Sequence, residues 1–102
     1  MTHDPESGVR LLGRSVEWSD GSENELLTIM RSAADRSSTS DELTASIRDW
    51  PTLYHLSPDR SNLLRPLALG PGMRVLDVGA GTGALTRYVA DTGADVVALE
   101  GN

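Results

Sequence analysis

Cysteine is absent from this chain, which excludes a disulfide framework and any thiolate metal site. Lysine is absent too. All nine basic residues are arginines, set against fifteen acids for a net charge of -6. Residues 1–50 hold ten of the acids and five of the arginines, residues 51–102 the other five and four. With no basic cluster, nothing is available to neutralise a run of phosphates. That argues against sequence-independent nucleic-acid binding and against an anionic membrane surface. Phenylalanine is missing, and Trp18, Trp50, Tyr54 and Tyr88 are the whole aromatic complement, so packing must lean on Leu, Val, Ile and Ala. No apolar run approaches the roughly 18 residues that span a bilayer. The opening "MTHDPESGVR" lacks the apolar centre of a signal peptide, so a cytoplasmic protein is the expectation.

What is present suffices for one small domain: 102 residues, 38% hydrophobic and 24% charged. Residues 1–21, with Pro5, Gly8, Gly13 and Gly21 among scattered polar residues, predict a poorly ordered start, with "SVEW" from Ser15 to Trp18 as a short extended piece. Residues 22–69 read as helical. Ser22 followed by Glu25 is a capping-box pattern, and Leu26, Met30 and Ala33 share a face, which predicts a helix from Glu23 to Arg36. Thr39 with Glu42 offers a second box, and Leu43, Ile47 and Trp50 predict a helix that ends before Pro51. Ser57, Pro58 and Asp59 suit the cap and first turn of a third helix, with Leu63, Leu64 and Leu67 inward. Trp18 and Trp50 are expected to anchor this helical segment.

From residue 70 the period changes. "RVLDV" reads as a strand and "ALTRYVADT" as a helix with Leu85, Tyr88 and Val89 inward. "DVVALE" reads as a second strand, buried on both faces as in a parallel sheet. Strand, helix, strand makes a βαβ unit. The predicted class is α/β: the opening βαβ of a doubly wound, Rossmann-like parallel sheet, preceded by a helical segment, with the sheet incomplete in this chain.

The chemistry lies in "DVGAGTGA", Asp77 to Ala84. A helix N-terminus in a βαβ unit exposes unpaired N–H groups at the carboxyl ends of the strands, where ligands bind. Gly79, Gly81 and Gly83 leave that backbone bare. Glu100 follows Gly79 by 21 residues and ends the second strand, where its carboxylate can accept bonds from ribose hydroxyls. The ligand predicted is a nucleoside compound. Gly79, Gly81 and Ala84 also satisfy the dinucleotide fingerprint, which keeps an NAD(P)-binding oxidoreductase as an alternative. Asp77 tilts the balance. An acid beside the first glycine repels a pyrophosphate, whereas a ligand with ammonium and sulfonium groups and no phosphate tolerates it.

"VLDVGAGTG" followed by "VVALE" resembles the cofactor-binding start of class I S-adenosylmethionine-dependent methyltransferases. The resemblance covers residues 66–102, including the Pro-Gly turn in "LGPGMRVLDVG". It implies that the loop of Asp77, Gly79, Ala80, Gly81 and Gly83 lies against the cofactor's methionine and ribose, and that Glu100 binds the ribose. Asp77 would order the loop or meet the amino group. Residues 1–65 match only as a helical extension of the kind that covers the cofactor, where Arg60 is a candidate partner of the methionine carboxylate and Tyr54 and His55 are candidate pocket residues. The family's later strands, with the acceptor site, do not appear, so the chain is expected to be the N-terminal portion of a methyltransferase and to be inactive by itself. No residue qualifies as a general base. The acceptor is expected to be a small molecule or glycan. His3 and His55 lack any ligand pattern for a metal. A third reading is a non-catalytic helical interaction module, in which the exposed edges of two strands invite self-association.

Overall fold

The computed structural model describes residues 2–14 and 17–102. Of the predicted extended piece Ser15–Trp18, the first two residues lie outside that set. The segment read as poorly ordered contains a small antiparallel pair, β1 (Thr2–His3) with β2 (Arg10–Leu11), Thr2 opposite Leu11 and His3 opposite Arg10. The Asp4 carboxylate closes its turn by accepting from the backbone N–H and hydroxyl of Ser7. An exposed ion pair, Arg31 to Glu6 at 2.6 Å, tacks the hairpin to the first helix; such a pair contributes little to stability.

Helix α1 spans Glu23–Ser32, shorter than the predicted run to Arg36. Its start is not the expected Ser22/Glu25 box. Ser22 makes no side-chain cap bond; instead the Glu23 carboxylate accepts from the Asp20 N–H at 3.1 Å and Asp20 accepts from the Ser22 N–H at 2.9 Å. Helix α2 is a short Asp41–Ala45, capped by Ser40 rather than Thr39: the Ser40 hydroxyl accepts from the Leu43 N–H at 3.1 Å.

Pro51 does not follow a helix; it sits in the first turn of one. Helix α3 runs Trp50–Leu56 with Asp49 as its cap, extended at φ -150°. The Asp49 carboxylate accepts from the Thr52 N–H at 3.0 Å, and the Thr52 hydroxyl accepts from the Asp49 N–H at 3.1 Å. The first-turn N–H groups of a helix have no partner within it, so a proline there loses nothing. Trp50 therefore opens α3 instead of closing α2. Trp18 and Trp50 are each 68% exposed, so neither anchors the segment as expected.

Ser57, Pro58 and Asp59 do begin a third element, but it is 3₁₀ rather than α, over Pro58–Leu63 and again over Arg65–Leu67. Pro66 has no N–H to continue an α ladder, and Ala68 closes the run in the left-handed region at φ 49°. The tighter winding turns Leu63 and Leu67 outward, contrary to the predicted apolar face.

The helical core joins Leu26, Ala33, Leu43 and Leu56, with Ile29, Met30 and Ile47 packed against it. A second centre lies where helix α4 (Ala84–Asp91) meets the sheet, with Ala84, Val89 and Ala94 buried. Leu85 and Tyr88, expected inward, are half-buried. Arg87 and Asp91 couple the two centres. Arg87 donates to the His55 carbonyl at 3.2 Å and the Arg36 carbonyl at 3.4 Å, while Asp91 accepts from the Ser38 N–H and hydroxyl at 2.8 and 2.6 Å. Burial pushes the Arg87 guanidinium down from its usual range, with Asp91 pulling the other way.

Strands β3 (Arg74–Val78) and β4 (Asp95–Leu99) pair in parallel, Arg74 opposite Asp95 through Val78 opposite Leu99. The architecture is mixed α/β with a short parallel sheet, strand–helix–strand in order. Burial on both faces does not occur. Val75, Asp77 and Val96 are half-buried, whereas Leu76, Val78, Val97 and Leu99 are exposed. Side chains alternate along a strand, and α4 covers one face; among the described residues nothing covers the other.

Candidate cofactor site

The end of β3 and the end of β4 fix the glycine loop between them. The Leu99 carbonyl accepts from the N–H groups of Gly79 at 2.8 Å and Ala80 at 3.1 Å. Gly79, Gly81 and Gly83 all take left-handed backbone angles, φ 74°, 59° and 83°. A methyl group added at Gly79 or Gly81 would meet nothing within 4 Å. Backbone conformation requires glycine here, and the space beside the loop is open. Gly83 caps α4, its N–H turned back to the Ala80 carbonyl at 3.0 Å.

The two predicted acids come to this loop by different routes. Glu100 reaches it directly. Its Oε2 accepts from the Gly81 N–H at 2.6 Å, and Oε1 accepts from the N–H groups of Gly101 and Asn102 at 2.9 and 3.1 Å. The Gly81 bond, then the Asn102 bond, hold its carboxyl below the usual range. Oε2 keeps a second lone pair, whereas the two N–H donors occupy both of those on Oε1. Asp77 is half-buried and accepts the Thr86 hydroxyl from α4 at 2.6 Å. It ties strand β3 to helix α4.

Arg60 and Tyr54 are engaged with each other. The guanidinium lies 4.0 Å from the centre of the Tyr54 ring and donates to the Tyr54 carbonyl at 3.2 Å and hydroxyl at 3.4 Å. Trp50 also stacks on Tyr54, the two ring centres 4.9 Å apart. Together with Leu53, Ser57 and Asp59 they line an open groove of about 370 Å³. No glycine-loop residue lines it, so Arg60 and Tyr54 are not brought together with Gly79–Gly83 here.

His55 is the link the sequence hinted at without its partners. The half-buried imidazole faces Asp20 through Nε2 at 3.2 Å and the loop's Thr82 hydroxyl through Nδ1 at 2.7 Å. Asp20 is drawn down to about 2, chiefly by the hydroxyl and N–H of Ser22 and then by His55. Trp18 also touches the segment after β4: its N–H donates to Asn102 Oδ1 at 3.4 Å, and its carbonyl accepts from Asn102 Nδ2. The stretch before α1 is thus held at both the glycine loop and the residues after Glu100. Asp20, Thr82, Thr86 and Asn102 were missed by sequence reasoning. A serine, threonine or asparagine carries no periodic signal, and the contacts to Asp20 and Asn102 span 35 and 84 residues.

Among the described residues there is no cluster of His, Cys, Asp or Glu able to hold a metal, and no helix is long and apolar enough to cross a membrane. No protein-family profile and no solved structure matches the chain. Over 41 residues the chain is 56% identical to a demethylmenaquinone methyltransferase of Parafrankia sp. (strain EAN1pec), a match that covers 40% of this chain and 16% of that protein. The chain thus spans a small part of the relative it matches. The likeness supports a methyltransferase-like portion of sequence.

Proposed function

We propose that this chain carries the glycine-loop half of an S-adenosylmethionine site in a Rossmann-like class I methyltransferase. The observation that carries the reading is the bare loop: left-handed Gly79 and Gly81 beside open space, with the Glu100 carboxylate docked on the Gly81 N–H. The charge of the site fits the cofactor. Asp77 and Glu100 flank the loop, and among the described residues no arginine side chain bonds to it, a setting that disfavours pyrophosphate and suits a ligand with ammonium and sulfonium groups. The methyltransferase likeness points the same way.

The cofactor, when bound, supplies an electrophilic methyl group on sulfonium. The chain's own residues orient and desolvate. Glu100 offers the spare lone pair of Oε2 to a ribose hydroxyl while its bonds to backbone N–H groups keep it ionised. Asp77, through Thr86, holds the loop and α4 in register. Methyl transfer is an in-line displacement, for which alignment of the acceptor is the main requirement; none of these residues serves as a base. The acceptor we favour is a small molecule, as in the relative named for demethylmenaquinone, because the chain lacks the basic surface a nucleic acid needs.

Calorimetric titration of the protein with S-adenosylhomocysteine and, separately, NAD tests the reading. Binding of S-adenosylhomocysteine that Asp77→Val weakens is expected. Preference for NAD, or a gain in NAD binding on Asp77→Val, overturns it in favour of an oxidoreductase.

A further inference from the structure

Helix α3 buries one face and offers another. Thr52 and Leu56, one turn apart, are buried, which leaves Trp50, Leu53 and Tyr54 outside at 68%, 50% and 42% exposure. Side by side on so short a helix, they form a contiguous patch rather than scattered surface residues. With Arg60 they wall the open groove of about 370 Å³, a size that suits a small molecule. Arg60 is half-buried, and among the described residues no carboxylate lies within ion-pair distance of it. A guanidinium has five N–H groups. Two of those on Arg60 go to the Tyr54 carbonyl and hydroxyl, and the Tyr54 ring 4.0 Å away fixes the plane of the fork. The remaining donors are available to an anion.

We propose that this groove is a second binding site, for a planar aromatic carboxylate. The ring extends the Trp50–Tyr54 stack, whose planes lie 16° apart, and the carboxylate takes parallel bonds from the Arg60 fork. An aliphatic acid lacks the stacking, and a neutral ring lacks the charge. In a chain of net charge -6 the overall field repels anions, so binding of one here depends on this arginine. Asp59 also lines the groove, but it is exposed to water, where its charge is screened. No glycine-loop residue lines the groove, so the site does not depend on the methyl-donor reading.

Titration of the nitrogen-labelled protein with 2-naphthoate tests this, read from the indole N–H cross-peaks of its two tryptophans, which Trp50→Phe tells apart. The Trp50 peak is expected to shift and saturate with a Kd of about 1 mM or below, as a probe of roughly thirteen heavy atoms allows. The Trp18 peak should stay in place. On the unaltered protein, 2-naphthamide, the same ring without the charge, should bind about tenfold more weakly. Decahydro-2-naphthoate, the same charge without the flat ring, should bind several-fold more weakly. Arg60→Gln should lower 2-naphthoate affinity about tenfold, to that of the amide; Asp59→Asn should leave it unchanged or tighter. No saturable shift at Trp50, or equal binding of the acid and either comparison compound, overturns the proposal. Weakening by Asp59→Asn also overturns it, in favour of a zwitterion. Competition by S-adenosylhomocysteine overturns it too, by making the groove part of the cofactor site. A protein that binds 2-naphthoate in this pattern but no S-adenosylhomocysteine loses the methyl-donor reading and keeps this one.

Discussion

Replacing Gly81 by alanine separates what the glycine does for the fold from what it does for a ligand. The residue sits at φ 59°, where an L side chain is strained, and a Cβ there meets nothing within 4 Å. The folding cost is therefore backbone strain alone, about 1–2 kcal/mol, with no clash added and the N–H to Glu100 retained. For a domain of this size that lowers Tm by roughly 4–16 °C. Gly93 provides the contrast. It also lies in the left-handed region, at φ 87°, but a methyl there comes within 3.0 Å of Pro71 Cγ and 3.3 Å of Cδ. Gly93→Ala should destabilise more than Gly81→Ala, while only Gly81→Ala should abolish binding of S-adenosylhomocysteine, because its methyl fills the space the ligand needs. Thermal melts by circular dichroism and calorimetry on the same samples give both numbers. Unchanged affinity in Gly81→Ala, with the expected fall in Tm, would refute the assignment of that open space to a ligand.

Thr52, fully buried and reciprocally bonded to Asp49, carries the start of α3; Thr52→Val should cost about 1–2 kcal/mol in urea unfolding, and Thr52→Ser much less, whereas equal losses would deny the cap its role. Acid should destabilise the fold in a defined window. Asp20 has its carboxyl lowered from 3.8 to about 2, so its contribution is complete above pH 4 and is lost as pH falls through about 2. Asp49, Glu42 and Glu100 are lowered by bonds from N–H and hydroxyl groups and add losses of the same sign below pH 4.5; flat stability in urea between pH 5 and 2 would contradict these bonds. The open apolar face of Leu76, Val78, Val97 and Leu99 is expected to make the chain self-associate, with Val78→Lys shifting it toward monomer in sedimentation; a monomer at every concentration would argue against it.

The helical half shows where sequence reading stops. Helical spacing marked Leu26, Ala33 and Leu43, which do face inward, but not Leu56, which completes the same core. The boundaries went astray at Ser22, Thr39 and Pro51, where several candidate caps compete within three residues of each other. Which one wins depends on the angle at which the chain enters the core. Trp50 illustrates the consequence: at helical spacing from Leu43 and Ile47 it reads as core, but a break at Asp49 rotates it outward onto Tyr54.

The strand–glycine-loop–helix–strand unit was legible in the sequence because each part is local: short apolar runs, three glycines at every second position between them, and an acid at the strand end whose reach is set by the parallel register. Nothing local reveals that Thr86 holds Asp77, that Arg87 and Asp91 bind the two cores together, or that His55 stands between Asp20 and Thr82. Apart from the bond to Asp77, those pairings join residues at least 27 positions apart. Hydrogen bonds act only over about 3 Å, so only the folded chain decides which polar groups meet.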